Sequence, residues 1–241
     1  MQSKEEKLCC SSDQEMDKIS WLPDPIRSHI VSFLPMKDAI RSKILSRRWR
    51  YVCSSLSNLK FDQIEFEKSN SEIRDFRDFV DETLLSHDGS DIQRFSLKIN
   101  LDDAYIYARR VSAWISFALQ HNVQILILGS VESSALLEKL PCSLFTCNTL
   151  RVFSLVGIPG PKWPTITKFP VLRSLRIGFI TSFDDENVIA KLFSSCTFPV
   201  LEELTVDHCI FESLDTLSIS ISSLKFLYLR YYTARSSFDD T

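Results

Sequence analysis

No apolar run in this sequence approaches the ~20 residues that span a bilayer. No Cys-x-x-Cys pair occurs among its seven cysteines, and its four histidines, His29, His87, His121 and His208, are scattered. Zinc sites need clustered ligands, so neither a metal centre nor a RING-type ligase domain is expected, and no cofactor is called for. Glycine is scarce, and Gly157–Ile158–Pro159–Gly160–Pro161 lacks the spacing and the following lysine of a phosphate loop, so it reads as a turn. The first residues, MQSKEEKLCCSSDQE, have no apolar centre and are no secretory signal; a disordered tail over 1–16 is expected. The cysteines are therefore read as reduced, mostly small buried hydrophobes in an intracellular setting, nucleus or cytoplasm.

A formal charge of −3 gives no global pull toward nucleic acid or acidic membranes. The densest basic cluster, Arg41, Lys43, Arg47, Arg48 and Arg50, surrounds Trp49, but a patch this local on an acidic chain does not make a nucleic-acid binder. Asp184, Asp185 and Glu186 read as an acidic first helical turn, and Asp102–Asp103 as another cap. Asp207–His208–Cys209 holds acid, base and nucleophile types side by side, but adjacent strand residues point to opposite faces and rarely assemble a catalytic group. Nothing here argues for an enzyme.

What the sequence does hold is concentrated between Asp17 and Arg50. Asp24 can cap a first helix with Pro25 at its first position, and Ile26, Ile30, Phe33 and Leu34 recur at helical spacing until Pro35 ends the run. A second short helix fits Lys37 to Lys43, and Ser46 can cap a third that carries Trp49 and Val52. This module has too many apolar positions to bury within itself, as expected of one whose partner completes the fold.

Trp21–Asp24, Phe33–Pro35, Asp38–Arg41 and Leu45–Arg50, in this order and spacing, closely resemble an F-box of the plant F-box/leucine-rich-repeat family. The resemblance implies docking on a Skp-type adaptor, and through it a cullin-based ubiquitin ligase. It assigns Leu22, Pro23, Ile26, Ile30, Leu34, Leu45 and Trp49 to the adaptor-facing surface. Two positions depart from the family. Met36 stands where relatives usually carry a capping Thr, and Cys53 where many carry a second Trp. Longer members also have a C-terminal FBD domain that is not recognisable in this sequence.

Beyond the F-box, expected over 17–56, strands and helices alternate. A linker strand (Leu59 to Phe66) and helix (Ser71 to Ser86, with Gly89 as a stop) occupy 57–91. Strands follow at Phe95 to Ile99 and Val123 to Leu128, with a helix over Tyr105 to Gln120 between them. The pattern apolar-x-x-apolar-x-apolar then recurs from Ile92, Val123, Leu150, Leu172, Leu201, Leu214 and Leu224, the last two gaps being much shorter than the others. Ser134 to Leu144 and Asp184 to Ser194 read as helices between strands, and Phe-Pro-Val-Leu recurs at Phe169 and Phe198. The reading is an α/β chain: an N-terminal three-helix F-box, then an irregular leucine-rich-repeat solenoid with a curved parallel sheet over 92–232 and a disordered tail over 233–241. The sequence stops soon after a repeat strand, with no recognisable polar cap.

Residues one position off the apolar pattern face the open side of such a sheet. These are Val152, Ser154, Val156, Ser174, Arg176, Glu203, Thr205, Asp207, Thr216, Ser218, Phe226, Tyr228 and Arg230. Arg176, Glu203, Thr205, Phe226, Tyr228 and Arg230 are the candidates for holding a protein target; the alternative is that they are solvated sheet residues, with Arg176 pairing Glu203 across strands. The resulting reading is the target-recruiting subunit of a Skp–cullin–F-box ligase. A non-degradative or decoy adaptor, binding the Skp partner without presenting a target, is the alternative. No nucleic acid and no membrane enter either reading.

Overall fold

The computed structural model describes residues 19, 21–68, 75–99, 104–130, 140–157, 164, 167–179, 192–211, 217–230 and 233–234. Among them, no helix is long and apolar enough to cross a membrane.

Three helices come first among the described residues: α1 (Asp24–Ser32), α2 (Met36–Arg41), which runs on into a 3-10 turn at Ser42–Ile44, and α3 (Arg47–Ser54). The expected cap on α1 moves by one residue. Pro23 is extended (φ −58, ψ 148) and serves as N-cap without a side-chain bond, so Asp24 is already helical. Asp24 turns to Arg27 instead, accepting a hydrogen bond from its guanidinium. At α2 the N-cap is Pro35, which has no side-chain acceptor, and Met36, where relatives were expected to carry a capping Thr, is already the first helical residue. Ser46 does cap α3, its Oγ accepting from the Trp49 N–H at 3.4 Å.

The chain then passes directly into a sheet. The linker strand, β1 (Asn58–Asp62), is shorter than expected, and Gln63–Lys68 forms a helix, α4. Asp62 causes the break: its Oδ1 accepts the Glu65 N–H at 3.1 Å, a cap that competes with strand continuation. After α4 come α5 (Phe76–Leu85), β2 (Arg94–Ile99), α6 (Ala104–Gln120), β3 (Ile125–Ser130), β4 (Val152–Val156), β5 (Ser174–Gly178), β6 (Glu203–Asp207), β7 (Ile210–Phe211), β8 (Phe226–Arg230) and β9 (Thr233–Ala234). Asp75 caps α5, accepting the Arg77 N–H at 2.9 Å; the expected earlier start, with Ile73, lies outside the described residues. Most of the helices expected over 134–144 and 184–194 also lies outside them, and Cys142–Thr146 is a 3-10 turn.

Seven strands form one open sheet in the order β1-β2-β3-β4-β5-β6-β8, and every neighbouring pair is parallel. β1 is therefore the first strand of the sheet rather than a detached linker. The unit expected at Leu214 is not a strand of it. Residues 217–219 carry no strand and 212–216 lie outside the described set, so β6 pairs directly with β8. Ser220 instead bridges to Ser194, and Leu217 and Ile219 pack on the core as part of the returning segment. The two short gaps thereby fuse into one of ordinary repeat length.

The apolar positions of each repeat point to one side. Leu59, Phe95, Leu126, Phe153, Leu175 and Leu204 form one buried row across the sheet, and Phe61, Leu97, Leu128, Leu155, Ile177 and Val206 the next. Val80 and Leu84 of α5 and Val111, Trp114 and Ile115 of α6 are buried in the same core. Farther along, the two Phe-Pro-Val-Leu copies add ring stacking to this core. Phe169 lies 5.5 Å from Phe198, their planes 8° apart, and Phe153 stacks beneath Phe169 at 6.2 Å. Phe153, Phe169 and Phe198 thus form one aromatic stack that helps hold these neighbouring units at a fixed spacing.

The helical module shares this core. Trp49, Val52 and Leu56 belong to the same buried cluster as β1 and α5, so its apolar excess is partly closed by its own chain. Polar links reinforce the junction: Lys43 Nζ donates to Ser86 Oγ (2.7 Å), and the N–H groups of Asp88 and Arg94 donate to the carbonyls of Ser54 and Ser57, each at 3.0 Å.

Candidate functional site

Two surfaces remain uncovered by this core. The first lies on α1. Helical spacing sends Arg27 and Val31 inward, each 1% exposed, and leaves Ile26 (48%), Ile30 (37%), Phe33 (74%) and Leu34 (39%) in solvent. Leu45 is exposed as well, Pro23 too, and Leu22 is half-buried. An apolar stripe facing water while an arginine faces the core inverts the usual arrangement of a surface helix. Trp49 departs from the expectation: at 2% exposure it is part of the internal core and cannot present its ring to a partner. The arginines beside it, Arg47, Arg48 and Arg50, occupy the outer face of α3. The sequence reading missed Trp21, Ile44 and Tyr51, which are all well exposed. The 3-10 turn around Ile44 has no helical period that would have flagged it.

The interior of this module is polar in an unusual way. Arg27 has a partner for one terminal nitrogen, Asp24, while Nε and Nη1 are buried without one; the Trp49 indole N–H is buried unbonded too. Replacing a buried, incompletely paired charge by an apolar side chain of similar reach removes a desolvation cost. Arg27→Leu is therefore expected to raise stability by about 1–3 kcal/mol, read as a higher urea midpoint at unchanged slope. A lower midpoint would mean that the guanidinium is properly solvated or paired. Cys53, where a Trp was expected from the family, is also internal. Its Sγ donates to the Ala39 carbonyl at 3.0 Å and lies 3.2 Å from Ser42 Oγ, tying α3 to α2. Burial pushes the Cys53 thiol up and the Lys43 ammonium down, so the thiol is held as an inert, protonated packing group.

The second surface is the open face of the sheet. The parallel register sets three rows across it. Val152, Ser174, Glu203 and Phe226 stand in one; Ser154, Arg176, Thr205 and Tyr228 in the next; Val156, Gly178, Asp207 and Arg230 in the third. The strand residues expected there do lie opposite the buried rows, with Phe226 (52%) and Tyr228 (59%) strongly exposed. Thr216 lies outside the described residues, and Ser218 is in the returning segment rather than on this face. Arg176 does not pair Glu203. It stands opposite Thr205, midway between two outward carboxylates, and reaches Asp207 at 3.7 Å. Asp207 also accepts from or faces His208 Nδ1 at 2.7 Å, and the imidazole stacks on Phe179 at 4.6 Å with planes 4° apart. The acid, base and thiol of Asp207–His208–Cys209 do not converge: Cys209 is buried, its Sγ against the carbonyls of Ile177 and Asp207. Among the described residues no three His, Cys, Asp or Glu side chains are placed to hold a metal ion.

Comparison with known proteins assigns both parts. A profile of the F-box domain matches residues 19–61. A second, for the leucine-rich repeats of FBD-associated F-box protein At5g56370, matches residues 111–239, more than half of the chain. F-box/LRR-repeat protein At4g14103 of Arabidopsis thaliana is 36% identical over 221 residues, which cover 87% of this chain and 54% of that protein. F-box/LRR-repeat protein At3g59200 is 34% identical over 87% of this chain and 40% of its own length. FBD-associated F-box protein At4g10400 is 30% identical over 94% and 54%. The chain spans about half the length of the relatives it matches.

Proposed function

The chain belongs to the plant F-box/leucine-rich-repeat family, and from that premise we propose that it recruits a protein target to a Skp–cullin–F-box ubiquitin ligase. The observation that carries this reading is the inverted helix α1. Pro23, Ile26, Ile30, Leu34 and Leu45, with half-buried Leu22, form an apolar surface that its own core leaves in water. A Skp-type adaptor would cover that surface, and a cullin would bind through the adaptor. The sheet's open face, with Arg176, Glu203, Thr205, Phe226, Tyr228 and Arg230, would hold the target. The work is then done by proximity: one continuous core fixes the target relative to the ligase, and a target lysine meets charged ubiquitin at high effective concentration. The chain itself needs no nucleophile.

Reconstitution with a Skp-type adaptor and cullin tests this. The wild type should capture the adaptor and support ubiquitin transfer to a co-purified protein. Phe226→Ala with Tyr228→Ala should keep adaptor capture and lose that substrate. Failure of the wild type to capture the adaptor would overturn the docking reading. An unchanged set of targets in the double variant would move recognition off this end of the sheet.

A further inference from the structure

We infer that the open sheet face takes an acidic protein segment, with carboxylates at both ends of a short apolar stretch; this rests on the reading of the sheet as the target face. The chain carries a formal charge of −3, yet its open face carries the opposite sign. Extending the register back to β1 and β2 adds Lys60 to the row of Arg176, Lys98 to that of Arg230 and Arg94 to that of Glu203, and all of these cations are exposed. The carboxylates on the same face are withdrawn. Asp62 is 16% exposed and paired with Lys98 at 3.6 Å, and Asp207 is 10% exposed and paired with Arg176 at 3.7 Å. In both pairs the cation is the outer partner, 53% and 54% exposed. Glu203 alone among the outward carboxylates stands exposed. Lys60 also meets Glu65 of α4 at 3.1 Å, which reduces but does not reverse the excess.

The cations are not a continuous track. They sit on β1 and β2 at one end and on β5 and β8 at the other. Between them β3 and β4 present Ile125, Ile127, Val152 and Val156, all half-buried, with Ser154 in the middle row. From β2 to β5 is three strand spacings, about 14 Å, the reach of roughly four extended residues. A phosphate backbone needs evenly distributed cations and would meet Glu203. An extended polypeptide with acidic residues flanking apolar ones matches both the sign and the gap, and the cations would speed its encounter.

The test uses the full chain and a labelled peptide of three leucines between two pairs of aspartates. Its lysine-flanked counterpart and a 12-nucleotide oligouridine serve as comparisons. The acidic peptide should bind in a salt-sensitive manner and the lysine peptide should not. Arg94→Gln combined with Arg230→Gln, both on exposed positions, should weaken acidic-peptide binding about 4- to 25-fold while adaptor capture is unchanged. Equal binding of the two peptides, an unaffected double variant, or tighter binding of the oligouridine would overturn the inference. Loss of adaptor capture in the wild type with peptide binding intact would instead count against the docking reading and leave this one standing.

Discussion

Ile26→Ala combined with Phe33→Ala should cost about 2–4 kcal/mol in adaptor binding, or roughly 30- to 1000-fold in affinity, with no loss of fold stability. Ile26 on α1 and Phe33 just past its end project into water, 48% and 74% exposed, so their removal leaves no cavity behind. Their apolar area gains free energy only when a partner covers it, and large apolar anchors at the centre of an interface carry most of its affinity. Val31 on the same helix is the control. It is 1% exposed and packs in the shared core, so Val31→Ala should lower stability by about 1–3 kcal/mol through a small cavity. Its effect on binding should follow only from unfolding. Titrating purified adaptor onto each variant by calorimetry, with urea unfolding in parallel, separates the two behaviours. Undiminished binding of the Ile26/Phe33 variant would remove α1 from the adaptor surface.

Helix positions, the parallel sheet and its buried rows were legible in the sequence because each has a period: i, i+3, i+4 on α1 and α5, and the repeated apolar-x-x-apolar-x-apolar on the strands. What was not legible depends on where a segment goes rather than on its pattern. Leu214 begins a copy as regular as the others, but it follows Leu201 too closely to leave room for a returning segment, and its described residues Leu217 and Ile219 pack on the core without forming a strand. Trp49 matches the family motif, yet no period tells whether a motif residue faces a partner or its own core; its burial in the shared core decided it. Arg27 carries no signal of its own in the sequence, and only the inward turn shared with Val31 exposes the anomaly. The cationic face was hidden for a related reason. Lys60 is far from Arg176 in sequence, and Lys98 from Arg230, and the pairs share a row only after four and five strand registers, respectively, are stacked.

Gly157→Ala should be the most damaging small substitution in the sheet, at about 2–5 kcal/mol. Three successive strands end on residues with positive φ: Gly157 at 71°, Phe179 at 54° and His208 at 50°. Each donates its N–H to the last residue of the next strand, to Gly178, Asp207 and Arg230 respectively, all at 2.8 Å. These left-handed turns close the C-terminal rim and fix the row Val156–Gly178–Asp207–Arg230 on the open face. Phe179 and His208 tolerate the conformation with large side chains, stacked on each other in solvent, so a positive φ alone does not demand glycine here. Position 157 differs in its neighbour. A Cβ there would lie 2.3 Å from the Ser130 carbonyl oxygen and 3.1 Å from its carbon, and Ser130 is held in β3 by its register with Ile99. A backbone oxygen in a paired strand cannot swing aside, so the strain adds to the left-handed penalty of ~1–2 kcal/mol. Gly178→Ala provides the contrast. It has no positive φ, and its added Cβ would meet nothing nearer than 3.5 Å, so it should change stability by less than about 1 kcal/mol. Melting temperatures should fall by about 5–15 °C for the first variant and hardly at all for the second. Equal shifts would mean that the rim is held by something other than the close approach of Gly157 to β3. A Gly157 variant that stays folded should also lose binding on the open face before adaptor capture, because the displaced strand end belongs to the target rows and not to α1.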